Sequence, residues 1–203
     1  MRGISVHELY NTKREILELP NAFQDHLGNP EIKGSWIIWG ASSNGKTDYA
    51  LKLAKTLAQH ERVAYNSLEE GNSHSLALAC KRNNMHECSN RFFIIQDNYE
   101  ALVSRLKRHK SPNIIITDSL QYLGINFTQY KKLIEKFPNK LFIWISHAEG
   151  KQPEGRVAKR VRYDAFIKIF VEGFVAQANG RYGGGQPYII WQQGADEYRM
   201  SLK

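Results

Sequence analysis

From Ser35 onward, short apolar runs alternate with stretches whose apolar residues recur at helical spacing. The runs are Trp36 to Trp39, Val63 to Ser67, Phe92 to Gln96, Ile114 to Asp118 and Leu141 to Ser146. Runs of this kind form strands buried on both faces. The helix-length segments between them are Lys46 to Gln59, Ser73 to Arg82, Tyr99 to His109 and Phe127 to Phe137, and they are the crossovers a parallel sheet needs. The pattern predicts an α/β fold with a mainly parallel sheet flanked by helices. Near the C-terminus it changes. Ala165 to Gln177 and Pro187 to Gln193 read as two long strands around the glycine-rich turn Asn179 to Gly185, an antiparallel hairpin extension at one edge of the sheet.

Ahead of this alternation, Val6, Leu9, Tyr10, Ile16, Leu17 and Leu19 follow a loose helical spacing that Pro20 ends. An amphipathic helix is expected there, packed on this domain or on a neighbouring subunit. Pro20, Gly28, Pro30 and Gly34 mark Asn21 to Gly34 as loop or linker rather than core. The chain of 203 residues suits one compact domain. Residues 1–33 are expected to be an N-terminal helix and linker, and residues 34–203 the folded domain.

No apolar run approaches the roughly 18 to 20 residues that cross a bilayer, so no membrane partner is expected. Met1 to Leu19 mixes charges through its apolar residues, unlike a signal peptide, and a cytoplasmic protein is expected. Cys80 and Cys88 are too few for a disulfide framework. The formal charge of +8 favours a polyanionic partner.

The chemistry begins between the first apolar run and the helical pattern that follows it. Gly40-Ala41-Ser42-Ser43-Asn44-Gly45-Lys46-Thr47 satisfies the pattern G-x-x-x-x-G-K-[ST] in its required strand-to-helix context. Glycines let the backbone turn so that its N–H groups point at phosphate oxygens, and the helix N-terminus adds partial positive charge. Lys46 would reach the β- and γ-phosphates of ATP, and the Thr47 hydroxyl would ligate Mg2+. Asp48, the next residue, is included in the nucleotide-binding set.

Magnesium needs an acidic group at the C-terminal end of a buried strand, where ligands collect in open α/β sheets. Asp118 ends the most apolar run. Another run ends in Leu68-Glu69-Glu70, which makes Glu69 the candidate base for the attacking water. His147 follows the run that ends at Ser146, where a polar side chain can bond the γ-phosphate.

These ordered motifs resemble the RecA-like ATPases, and within them the hexameric replicative helicases and related recombination ATPases, over roughly residues 34 to 194. Ser67-Leu68-Glu69 is similar to the segment bearing that family's catalytic glutamate, Asp118 to its Walker B aspartate, and Ser146-His147 to its phosphate-sensing position. The resemblance implies that the sensor strand lies between those of the P-loop and of Asp118. It also implies ATP bound between adjacent subunits of a homo-oligomer, with a basic residue donated in trans. Arg181 resembles the arginine of the helicases' late hairpin and would take that role. The segment after the sensor strand corresponds to a DNA-contacting loop in RecA-like proteins. Here it carries Lys151, Arg156, Lys159, Arg160 and Arg162, five of the chain's 28 Lys and Arg residues, which could follow the backbone of single-stranded DNA. The expected function is a Mg2+-dependent ATPase that handles DNA beside replication or recombination proteins. An ATP-dependent switch or scaffold acting on a protein partner is the alternative.

Overall fold

In the computed structural model, residues 3–202 are described. The chain order is α1 (Val6–Asn11), α2 (Asn21–Leu27), β1 (Gly34–Gly40), α3 (Lys46–Leu57), β2 (Val63–Ser67), α4 (His74–Arg82), β3 (Phe92–Ile95), α5 (Tyr99–Leu106) and β4 (Ile114–Asp118). It continues with α6 (Leu120–Leu123), α7 (Phe127–Lys136), β5 (Leu141–Glu149), β6 (Gln152–Pro153), α8 (Gly155–Asp164), β7 (Ile167–Glu172), β8 (Val175–Gly180), β9 (Tyr188–Ile189) and α9 (Gln192–Ser201).

The strands join in the order β3-β2-β4-β5-β1-β7-β8-β9, and β6 folds back on the end of β5. From β3 to β7 neighbours run parallel; β8 and β9 complete the edge antiparallel. The strand of His147, β5, thus lies between β4 and β1.

Strand alternation sends successive side chains into two cores. Trp36, Ile38, Ile114, Ile116, Ile143, Ile167 and Ile169 pack toward α3 and α4, while Ile37, Trp39, Ile115, Phe142 and Trp144 pack toward α5, α7 and α8. With both faces covered, β2 and β4 are buried along their whole length. Among the described residues no helix is long and apolar enough to cross a membrane.

Four regions depart from the sequence expectation. The helix expected over Val6 to Leu19 stops at Asn11; the chain then runs extended, with Ile16 bridged to Glu31 and Leu17 and Leu19 buried. The expected linker contains α2, because Phe23, His26 and Leu27 at helical spacing are buried. The expected long strand Ala165 to Gln177 reverses at Gly173 and Phe174, both at positive φ, the conformation of a two-residue hairpin turn. The glycines at 183–185 instead form a loop that leads to the short β9, and α9 follows it. Finally, the segment after the sensor strand, expected as a loop, is ordered as the end of β5, β6 and α8.

Candidate nucleotide site

Between β1 and α3 the backbone turns through positive φ at Ser43 and Gly45. Gly40 has no room for a side chain: a Cβ there would sit 2.1 Å from the Val171 carbonyl oxygen of β7. Asn44 fastens the turn to the β7–β8 hairpin. Its Oδ1 accepts from the Gly173 N–H at 2.6 Å, its carbonyl accepts from Phe174 N–H at 3.2 Å, and its Nδ2 donates to Ser42 O at 2.9 Å. No side chain caps α3 at Gly45, whereas Ser73, Asn98 and Asn126 cap α4, α5 and α7. The first N–H groups of α3 are therefore open to an anion. Lys46 Nζ reaches back over the turn to donate to Ala41 O at 2.8 Å. Burial lowers its pKa, and the nearby Asp118 and Glu69 charges act against that shift.

Asp118 closes β4 beside this turn. The residue is 8% exposed, and its carboxylate accepts from the Tyr65 hydroxyl at 2.5 Å. Burial raises its pKa to about 6; Glu69 and Glu70 add to the rise, and Tyr65 and Lys46 oppose it. The Asp118 carbonyl also fixes the segment after β2, accepting from Leu68 N–H at 2.7 Å and Glu69 N–H at 3.1 Å. Glu69 Oε2 in turn lies 3.2 Å from His147 Nε2. Glu70 is held apart from it by Ser75, whose hydroxyl donates at 2.5 Å.

The site residues read from the sequence are thus distributed as follows. Ser42, Ser43, Gly45, Lys46, Thr47, Asp48, Glu69, Asp118 and His147 line one cavity of about 430 Å3, and Gly40, Ala41 and Asn44 build the turn beneath it. The Asp48 carboxylate is engaged by Arg82 at 2.9 Å and by Asn83 at 2.6 Å, so its side chain is already occupied. Arg181 lies outside the cavity, its guanidinium 4.8 Å from the Phe166 ring centre. Of the five cations after β5, Lys151 and Arg156 are exposed. Lys159 pairs with Glu149 at 2.8 Å, Arg160 lies 3.8 Å from the Phe127 ring centre, and Arg162 lies 5.1 Å from that of Trp39. Three of the five cations expected to follow a DNA backbone thus already contact protein groups. Arg82 and Phe174 also line the cavity, and buried Tyr65 supports Asp118 from behind; none was singled out in the sequence, although Tyr65, two residues before the end of β2, had its strand position as a signal.

The oxygen donors fit a hard divalent cation. Thr47 and Asp118 face the same cavity, and beside Asp118 the hydroxyls of Thr117 and Ser119 are buried with no hydrogen-bond partner among the described residues. Those residues include no cluster of three or more His, Cys, Asp or Glu suited to hold a metal alone. Mg2+ here would complete its shell with phosphate oxygens and water, as it does in most nucleotide sites.

Sheet order, strand-end site and glycine turn together define the RecA-like fold of the P-loop ATPases. Solved structures share it. The flagellar accessory protein FlaH from Methanocaldococcus jannaschii superposes with a TM-score of 0.61 at 18% identity, over 87% of this chain and 97% of that one. A KaiC-like protein from Pyrococcus horikoshii OT3 gives 0.58 at 14%, over 86% and 93%. The ATPase domain of G40P gives 0.59 at 17%, over 89% and 90%. No protein-family model matches the chain, and no curated protein matches it in sequence.

Proposed function

We propose that the chain binds ATP with Mg2+ and hydrolyses it, works as a homo-oligomer with ATP at subunit interfaces, and handles DNA as an accessory ATPase or loader in replication or recombination. The observation that carries the first part is the convergence of Lys46, Thr47, Asp118, Glu69 and His147 on one cavity from four separate elements.

In this reading the triphosphate rests over the open N-terminus of α3, with Lys46 exchanging its bond to Ala41 O for phosphate oxygens. Thr47 and Asp118 would hold Mg2+, which would supply charge neutralisation to those oxygens. Glu69 orients a water whose oxygen attacks the γ-phosphorus as the bond to the β-γ bridging oxygen breaks; Glu69 takes the water proton. His147, bonded to Glu69, holds that carboxylate in place and changes partner when the γ-phosphate leaves. The basic charge of the chain and the ordered basic segment after β5 support DNA as the polyanion acted on.

Phosphate release measured with Mg2+, and again with EDTA, tests the first part. Lys46→Ala is expected to lower turnover by about 100-fold or more. Titrating single-stranded DNA at two salt concentrations tests the second, because phosphate contacts weaken steeply with salt. If DNA neither binds at low salt nor changes turnover, the switch acting on a protein partner replaces the DNA reading.

A further inference from the structure

We infer that a cleft on the face of the sheet opposite α3, formed by Trp39, Lys151, Gln152, Arg162, Lys168 and Phe170, binds single-stranded nucleic acid. The inference rests on the DNA-handling reading above and names the place where the strand lies.

Alternation along β7 sets the cleft up. Ile167, Ile169 and Val171 are buried toward α3, which sends Lys168 and Phe170 to the other face. Register then builds rows across three strands: Trp39, Phe170 and Gln177 in one, and Ile37, Lys168 and Asn179 in the next. On this face α8 lies against β1, while Gln177 and Asn179 on β8 are left exposed. The resulting cleft of about 510 Å3 is lined by three cations, Lys151, Arg162 and Lys168, and by no carboxylate among the described residues.

The lining is unsatisfied in the sense that a polyanion would correct. Arg162 donates to Gln152 Oε1 at 2.8 Å, yet its Nε is buried with no hydrogen-bond partner among the described residues. Burial, then the charges of Arg181 and Arg162, push the Lys168 pKa down; an anion in the cleft relieves that crowding. Phosphates match the three cations. The amides of Gln152, Gln177 and Asn179 can donate to and accept from base edges, and the partly exposed Phe170 with the exposed Pro187 offers apolar area to a base, Trp39 lying buried behind them. A duplex keeps its base edges paired and away from such a cleft. A single strand presents them.

The cleft is also wired to the nucleotide site. Trp39 directly precedes Gly40, and its indole N–H donates to Lys151 O at 3.1 Å. β5 ends two residues after His147, the turn through Lys151 leads into β6 at Gln152, and Glu154 N–H returns to His147 O at 2.9 Å. Gln121 clasps both ends, donating to Ser146 Oγ at 2.8 Å and Glu154 O at 3.0 Å. A strand held in the cleft therefore bears on the residue that contacts Glu69.

The test is fluorescence anisotropy of a labelled oligo(dT) of about 20 nucleotides at low salt without ATP, beside ATP turnover with and without the same oligonucleotide. Lys168→Gln and the exposed, near-isosteric Gln177→Glu are each expected to weaken binding about tenfold, and Lys168→Gln to make the salt dependence shallower by about one phosphate contact. Gln177→Glu is expected to keep basal turnover and lose its response to oligo(dT). Lys46→Ala is expected to keep oligonucleotide binding while losing turnover, which separates this site from the ATPase reading. Wild-type binding by both cleft variants overturns the inference, as does duplex DNA competing as well as oligo(dT). So does unchanged oligonucleotide binding together with loss of DNA-free turnover in Lys168→Gln, which would assign these cations to a neighbouring copy's nucleotide.

Discussion

Asp118 shows how burial tunes a carboxylate proposed to hold Mg2+. Its folded pKa, about 6, lies above the ordinary 3.8, so the folded chain holds this proton where the unfolded chain has released it. Its contribution to stability is complete below about 3.8 and is lost as pH rises through about 6, a change on the order of 3 kcal/mol. Asp118→Asn should therefore raise the melting temperature of the metal-free protein at neutral pH, and the gain should shrink as pH falls below about 6. Thermal unfolding followed in EDTA across that range measures it; a gain independent of pH would contradict the assignment. Since Mg2+ competes with the same proton, Mg2+-ATP affinity should fall as pH drops through that value. At Gly40 the constraint is steric. Gly40→Ala places a methyl 2.1 Å from the Val171 oxygen, and the strands must part, a loss of about 1–3 kcal/mol or more that denaturant unfolding would register.

At the scale of elements, the β7–β8 hairpin grips the phosphate turn through Asn44. Asn44→Ala removes the 2.6 Å bond from Gly173 and leaves a buried-side N–H unpaired, so stability should fall by about 1–2 kcal/mol and the KM for ATP should rise more than kcat falls. An unchanged KM would show that the turn holds its shape alone. This grip was not legible in the sequence, because Phe174 at positive φ carries no glycine-like turn signal and Ala165 to Gln177 reads as one apolar strand. The central strands were legible for the opposite reason: β1, β4 and β5 lie under helices on both faces and so contain little but apolar residues. The glycine-rich turn, Asp118, Glu69 and His147 stand around one cavity because each lies at a strand end, a placement readable in the sequence. In α8 only Ala158 and Val161 are buried, and its cations and flanking glycines hid a helix behind the composition of a loop. Pro20 and Gly28 hid α2 in the same way, although they bracket the helix rather than break it.

For the whole molecule, the proposed role of Arg181 in trans needs a second copy. It sits over Phe166, outside its own chain's nucleotide cavity, so a role on phosphate requires a neighbour. If it is donated in trans, Arg181→Ala and Lys46→Ala should each be inactive alone, and a mixture should recover turnover above the sum of the two, because some interfaces then pair an intact arginine with an intact P-loop. A mixture no more active than its parts would remove Arg181 from the reaction. The segment before β1 bears on the same experiments. His26, 1% exposed, bonds Tyr49 of α3 at 2.9 Å and the Gln186 carbonyl at 2.7 Å, and Phe23 stacks on Tyr188. A shortened protein cut just ahead of β1 would strip this clasp from the phosphate-binding helix and uncover greasy surface. The smallest piece worth purifying for enzymology begins well upstream of the P-loop strand.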